Sequence, residues 1–157
     1  MFTTNVMRIL DKAGIAYTAK EYDYDEDDLS GVHAAEALNL PQEKVFKTLV
    51  ARGDKTPSCV FVIPVAEELD LTQCASVSRN KRVELIHVKE LQPLTGYIRG
   101  GCSPIGMKKK LPTFIDETAL LCDAISVSAG QRGAQVLLAP GDLIDLVQAE
   151  TGDLIKF

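Results

Sequence analysis

Val45-Phe46-Lys47-Thr48-Leu49-Val50-Ala51 is followed by Arg52-Gly53-Asp54-Lys55 and then by Ser58-Cys59-Val60-Phe61-Val62-Ile63. Two runs rich in β-branched and aromatic residues, joined by a polar turn with glycine, read as a β-hairpin. The first run is interrupted by a polar pair. Side chains alternate along a strand, so one of Lys47 and Thr48 points to the inner face. A lysine there must snorkel out, find a partner, or line a cleft. In a cleft it holds a phosphate or carbonyl oxygen, or loses its proton when desolvated. A purely structural lysine is the other reading of this segment.

Outward from the hairpin, the chain alternates short helices and strands. Thr3 or Thr4 caps a first helix with Val6, Met7, Leu10 and Ala13 on one face and Gly14 at its end. Ile15, Tyr17 and Ala19 alternate as a strand and lead through Tyr22 into an acidic turn. Ser30 caps a short helix through Ala34, Ala35 and Leu38, and Pro41-Gln42-Glu43 starts another. Beyond the hairpin, Val65 to Val77 reads as a helix and Val83 to Ile86 as a short apolar run. Val88 to Leu94 reads as a helix ending at Thr95-Gly96. Strands are expected at Tyr97–Arg99, Pro112–Ile115, Ala124–Val127 and Gln135–Ala139, with a last helix over about 141–149. Strands outnumber helices without a regular βαβ rhythm. The expected class is therefore α+β, with a mixed, curved, barrel-like sheet flanked by helices in one domain over residues 1–157.

Composition fits that class. The 157 residues are 46% hydrophobic and 25% charged, which excludes a disordered chain and leaves no apolar run near the ~20 residues that cross a bilayer. No basic segment followed by an apolar one opens the chain, so a cytoplasmic protein without membrane contact is expected. Cys59, Cys74, Cys102 and Cys122 form no CxxC pair and the chain has two histidines, so neither a metal nor another cofactor is expected. Cys59 and Cys74 lie in apolar segments and read as small core residues. Cys102, in a glycine loop, is the one candidate for reactivity, although an inert thiol is the simpler reading.

The formal net charge of −5 argues against a generic nucleic-acid binder, but the charge is unevenly placed. Residues 21–28 hold six acids and no base, whereas residues 44–110 hold twelve bases against six acids. A local basic face can meet a polyanion while the bulk charge stays negative.

The usual catalytic signatures (HExxH, Walker A, GxSxG, CxxC) are missing, so chemistry must rest on lysine, hydroxyls, carboxylates and backbone N–H groups. Arg99-Gly100-Gly101-Cys102-Ser103-Pro104-Ile105-Gly106, followed by three lysines, is a candidate for close main-chain approach and for N–H donors aimed at an oxyanion. Ser128 stands at a strand end, and Asp142 stands in the first turn of a helix, where a dipole interaction is also sufficient reason for it.

Taken in order, these segments resemble the YbaK/EbsC-type family of aminoacyl-tRNA deacylases, related to the editing domain inserted in bacterial prolyl-tRNA synthetases. Val45–Leu49, Thr95–Gly106 and the Ser128 and Asp142 loops carry the resemblance. It implies a cleft for the aminoacylated 3′ end of tRNA, with Lys47, Gly100 and Gly101 as catalytic residues. Tyr22, Thr48, Ser128 and Asp142 follow as substrate-binding residues, and so does Ser30, which stands where relatives place a pocket phenylalanine. The implied activity is removal of cysteine from Cys-tRNA(Pro) and Cys-tRNA(Cys), the substrate's own thiol attacking the ester, with prolyl-tRNA synthetase as partner. The same fold acting on Ala-tRNA(Pro) or another small amino acid, and a non-catalytic tRNA-end or nucleotide-binding module, are the alternatives.

Overall fold

The computed structural model describes residues 3–156. Met1, Phe2 and Phe157, which belong to the expected 1–157 domain, lie outside the described residues. Thr4 caps α1 (Asn5–Ala13), its hydroxyl accepting the Met7 N–H at 3.3 Å, and Gly14 closes the helix in the left-handed region at φ 71°. Val6, Met7 and Leu10 are its buried face. After β1 (Thr18–Glu21) and the acidic turn, Ser30 caps α2 (Gly31–Ala37) by accepting from the His33 N–H. A single 3-10 turn, Gln42–Lys44, delivers the chain into the hairpin.

The hairpin forms as its pattern dictates. β2 (Phe46–Gly53) and β3 (Cys59–Pro64) pair antiparallel, with Lys47 opposite Ile63 and Ala51 opposite Cys59. Asn80 fixes the turn: its Oδ1 accepts the Lys55 and Thr56 N–H groups at 2.8 and 2.9 Å. The helix expected from Val65 begins only at Leu71, as α3 (Leu71–Val77). The Val65 N–H donates instead to the Val45 carbonyl at 2.9 Å, Leu69 bridges to Ile155, and Asp70 caps the helix.

β4 (Val83–Leu85) and α4 (Val88–Thr95) follow as expected. The strand expected at Tyr97–Arg99 is absent, because this stretch is a loop pinned between Gly96 and Gly100, both at positive φ. β5 (Thr113–Asp116), β6 (Ile125–Ser128), β7 (Ala134–Leu138) and α5 (Pro140–Val147) complete the expected elements. One further strand, β8 (Glu150–Gly152), is too polar and short to have been anticipated; it pairs in parallel with β5.

Two sheets result, ordered β1-β7-β6 and β4-β2-β3-β5-β8, and the second is mixed, with β3–β5 and β5–β8 parallel. The α+β class holds. In place of one barrel-like sheet, the two sheets meet at a parallel bridge between Val45 and Ser126. They share one core: Phe46, Val50, Val60, Val62 and Ile115 pack with Val127, Val136 and Leu138, capped by Val6 and Leu10 of α1. The other face of the larger sheet buries Phe61, Ile63 and Phe114 with Leu69 and Cys74, the two phenylalanine rings stacked 5.6 Å apart. Cys59 and Cys74 are fully buried, and burial pushes their thiols up to about 11 and about 12.

A gap in pairing positions the site. β4 pairs only with Ala51–Gly53 of β2, and the bridge to Ser126 sits at Val45. Between them, the N-terminal half of β2 is hydrogen-bonded to a strand on one side only, that of β3.

The C-terminal end of β5 depends on a single buried carboxylate. Asp116 is fully buried; one oxygen accepts the Leu154 N–H at 2.9 Å and the other the Thr118 hydroxyl at 2.6 Å. Replacing it leaves the buried Leu154 N–H unpaired, which costs ~1–3 kcal/mol, and frees the partly buried Thr118 hydroxyl. Asp116→Ala is therefore expected to lose at least ~2 kcal/mol in urea unfolding, and an unchanged midpoint would show that these bonds contribute nothing.

Candidate active site

The unpaired half of β2 forms one wall of an open cleft of about 290 Å³. Lys47, Thr48 and Leu49 line that wall. Leu85, Ile86, His87 and Val88, where the chain leaves β4 for α4, form an apolar lip. The start of α2 (Ser30, Gly31, Ala34) closes a third side, and the glycine loop (Arg99, Gly100, Cys102) a fourth. β6 and β7 supply the floor. Register explains its composition: Ile125 faces Leu138 and Val127 faces Val136 on the core side, so Ser126, Ser128 and Gln135 share the opposite side. Ser128 and Gln135 border the cleft and Ser126 lies beneath them, fully buried.

Lys47 is half-buried and makes neither a hydrogen bond nor an ion pair among the described residues. Burial holds its ammonium below the ordinary lysine value, while Glu68 and Glu67 nearby partly oppose that fall. The Thr48 Oγ1 is buried without any hydrogen-bond partner among the described residues, an arrangement that costs ~1–3 kcal/mol unless something else satisfies it. Two adjacent residues of one cleft-lining strand therefore carry unspent polar groups, the Lys47 ammonium half-buried and the Thr48 hydroxyl enclosed.

The glycine loop divides into two roles. Gly100 lies at φ 87°, a backbone setting that side chains resist, and its N–H is bound to nothing among the described residues. Gly101 does not line the cleft. Its N–H is spent on the Ile98 carbonyl at 3.0 Å, and a Cβ there would come within 3.1 Å of the backbone of Gln131 and Arg132. Its smallness thus lets the loop pack on the β6–β7 turn, where the Arg132 Nε donates to the Arg99 carbonyl at 2.9 Å. Of the two glycines, Gly100 is the one that lines the cleft with its N–H unspent among the described residues.

The remaining expected residues fall unevenly. Tyr22 borders the cleft half-buried, its hydroxyl pKa raised by burial. Ser128 is 8% exposed, and its oxygen accepts the Gly130 N–H at 3.1 Å. Ser30 borders the cleft, but its hydroxyl caps α2 and donates to Asp28 at 2.6 Å. The apolar side chain in this region comes instead from Leu29, whose carbons lie 3.3 Å from where a Gly100 Cβ would stand. Asp142 is not brought to the cleft; it is exposed in the first turn of α5, where a carboxylate suits the helix dipole. Cys102 faces the cleft, and burial pushes its thiol up to about 12, so it stays protonated and unreactive.

Three polar cleft residues lay outside the expected set: Gln135, Arg99 and His87. Gln135 carried a readable signal, since it is the one polar residue of Ala134-Gln135-Val136-Leu137-Leu138, as Lys47 and Thr48 are of theirs. Arg99 is exposed and unpaired among the described residues, a cation free to meet an anion at the mouth. Among those residues, no three of His, Cys, Asp and Glu stand together as a metal site would require, and no helix is long and apolar enough to cross a membrane.

Comparison with known proteins places this arrangement. The profile of the aminoacyl-tRNA editing domain matches residues 29–146, from α2 through most of α5. A protein of Enterococcus faecalis (strain ATCC 700802 / V583), provisionally named Cys-tRNA(Pro)/Cys-tRNA(Cys) deacylase EbsC, is 46% identical over 151 residues, 96% of this chain and 92% of that one. Two solved structures share the fold. One is provisionally described as a trans-editing enzyme for prolyl-tRNA synthetase, with a TM-score of 0.84 at 23% identity over 99% of this chain and 100% of the other. The second is the hypothetical protein APE2540, with a TM-score of 0.88 at 20% identity over 98% and 100%. From Leu29 to Leu146, through the cleft walls and the sheets that hold them, this chain belongs to the aminoacyl-tRNA editing domain family.

Proposed function

We propose that this chain is an aminoacyl-tRNA deacylase that removes cysteine from mischarged Cys-tRNA(Pro), and from Cys-tRNA(Cys) where it meets it. The observation that carries the reading is a single cleft lined by Lys47, Thr48 and Gly100, with the lysine unpaired and the Gly100 N–H unspent among the described residues. No activated serine, cysteine or histidine nucleophile accompanies them among the described residues, and in this proposal the nucleophile comes from the substrate. The cysteinyl sulfur attacks its own ester carbonyl, the C–S bond forms, and the bond from carbonyl carbon to ribose oxygen breaks. The proton lost by the thiol returns to that ribose oxygen, and a cyclic thiolactone leaves. An intramolecular attack in good orientation supplies ~7–11 kcal/mol, and one oxyanion donor ~3 kcal/mol more. In this scheme Gly100 N–H and Lys47 face the developing oxyanion. Tyr22, Thr48 and Ser128 hold the aminoacyl and ribose groups.

The acidic bulk charge suits a protein that takes only the acylated end of the tRNA while prolyl-tRNA synthetase holds the rest. Likeness to the described trans-editing enzyme supports that partnership. Weak, salt-sensitive binding to free tRNA follows from it. The experiment is a deacylation panel on tRNA(Pro) carrying cysteine, serine or alanine, run with wild type and Lys47→Ala. Cysteine alone is expected to be released quickly, and Lys47→Ala to lose at least ~100-fold without losing stability, since the Lys47 ammonium has no partner among the described residues. Equal rates on Ser and Cys esters would contradict thiol attack, and a fully active Lys47→Ala would remove the lysine from the chemistry.

Thr48 gives an independent check. Thr48→Val keeps the shape and removes an unpaired buried hydroxyl, so unfolding is expected to become ~1 kcal/mol more costly while kcat/KM falls about tenfold. A variant less stable than wild type would show that Thr48 is already satisfied within the fold.

A further inference from the structure

The loop between α4 and β5 lines the cleft through Arg99, Gly100 and Cys102. Outside the cleft, its surroundings are basic. Residues 87–110 carry five bases (Lys89, Arg99, Lys108, Lys109 and Lys110) and one acid, Glu90. Glu90 is already neutralised, since both its oxygens accept from the Arg52 Nη2, at 2.5 and 2.6 Å. This stretch is therefore +4 in a chain of −5, which leaves −9 for everything else. Evenly scattered surface lysines would not divide the charge in this way.

The lysine run is held against the cleft loop. The Lys108 N–H donates to the Thr95 carbonyl at 2.9 Å, and the Lys108 Cβ stands 3.8 Å from where a Gly96 Cβ would be. Between Arg99 and Lys108 the backbone is braced, because the Ile105 carbonyl accepts the Tyr97 hydroxyl and the Ile105 N–H donates to the Ser103 hydroxyl oxygen. Lys110 donates to the Gln148 Oε1. Lys108 and Lys109 are exposed, line no part of the cleft, and have no side-chain partner among the described residues. On another border of the cleft, Tyr22 and Ser30 flank the acidic segment Asp23–Asp28. A ligand whose reacting end enters the cleft and continues as a chain of phosphates is repelled there and attracted over the α4–β5 loop.

Resting on the deacylase reading, we infer that Lys108 and Lys109, continuing from Arg99, form a docking surface for the sugar-phosphate backbone of the RNA strand that leads to the acylated nucleotide. The contact is electrostatic and reads no bases. It fixes how the tRNA lies on the protein, with the strand leaving over this loop and away from the acidic segment.

The test uses the intact protein and two readouts: anisotropy of labelled, uncharged tRNA(Pro) across a salt series, and turnover of Cys-tRNA(Pro) beside that of cysteinyl-adenosine. Lys108→Gln/Lys109→Gln is expected to weaken tRNA binding about tenfold at low salt and to reduce the salt slope of log affinity by roughly 1–2. Turnover of Cys-tRNA(Pro) should fall about tenfold through KM with kcat kept, whereas cysteinyl-adenosine, which has no phosphate, should be released as by wild type. Affinity for tRNA(Cys) should drop equally, since backbone contacts carry no sequence information. Lys55→Gln/Lys81→Gln makes the same charge change beside the β2–β3 turn, where the Lys81 N–H is bound to Asp54, and is expected to bind as wild type does. Wild-type affinity and slope in the Lys108/Lys109 variant, or an equal loss in the Lys55/Lys81 variant, overturns the inference. So does normal tRNA binding with lost recruitment by prolyl-tRNA synthetase, which would make the surface a protein contact. A wild type that binds tRNA with this lysine dependence but releases no cysteine would sink the deacylase reading alone.

Discussion

The cleft exists because β2 runs out of partners. Its last three residues pair with β4 and its approach is bridged to Ser126, but between those points its free edge is covered by no strand. A sheet edge of this kind is exposed backbone and side chain that must be protected or used. Here it is enclosed by the glycine loop, the start of α2 and the β4–α4 connection. Sequence adds the second half of the constraint by placing Lys47 and Thr48, not two apolar residues, on that stretch. Filling it with valines would complete a core; leaving it polar makes a binding site at a cost in stability.

Charge is distributed around the opening in a way that fits an anionic ligand entering from one direction. The acidic segment Asp23–Asp28 lies between two cleft-lining residues, Tyr22 and Ser30, and repels phosphate on that side. Arg99 and His87 stand on the loop and lip instead. In the proposed reading, a polyanion that enters with its esterified end past Arg99 brings its acyl group to the wall that carries Lys47. The overall charge of −5 then limits non-specific adhesion without blocking this path.

Much of the fold was legible because local chemistry decided it. Thr4, Gly14, Ser30 and Gly96 announced helix ends, and the hairpin was written in its β-branched runs and glycine turn. What stayed hidden depended on distant pairing. β8 exists through β5, and the late start of α3 follows from Val65 being bound to Val45 and Leu69 to Ile155. Tyr97–Arg99 has strand-like composition, yet its flanking glycines turn it into a loop whose Tyr97 hydroxyl is tied to the Ile105 carbonyl. The site followed the same division. A lysine and threonine inside an apolar strand were readable as unusual, as Gln135 was on equal grounds. That Gly100 and not Gly101 keeps its N–H free among the described residues, and that Asp142 stays on the outer turn of α5, are matters of three-dimensional placement.

The central claim is that Lys47 and Gly100 N–H converge on one acyl oxygen. A crystal structure of the protein with a 3′-amide-linked cysteinyl-adenosine measures this directly. The account predicts the acyl oxygen within ~3.2 Å of both the Lys47 Nζ and the Gly100 nitrogen, with the sulfur on the open side of the carbonyl. An acyl group bound elsewhere in the cleft, with Lys47 still unengaged, would contradict it.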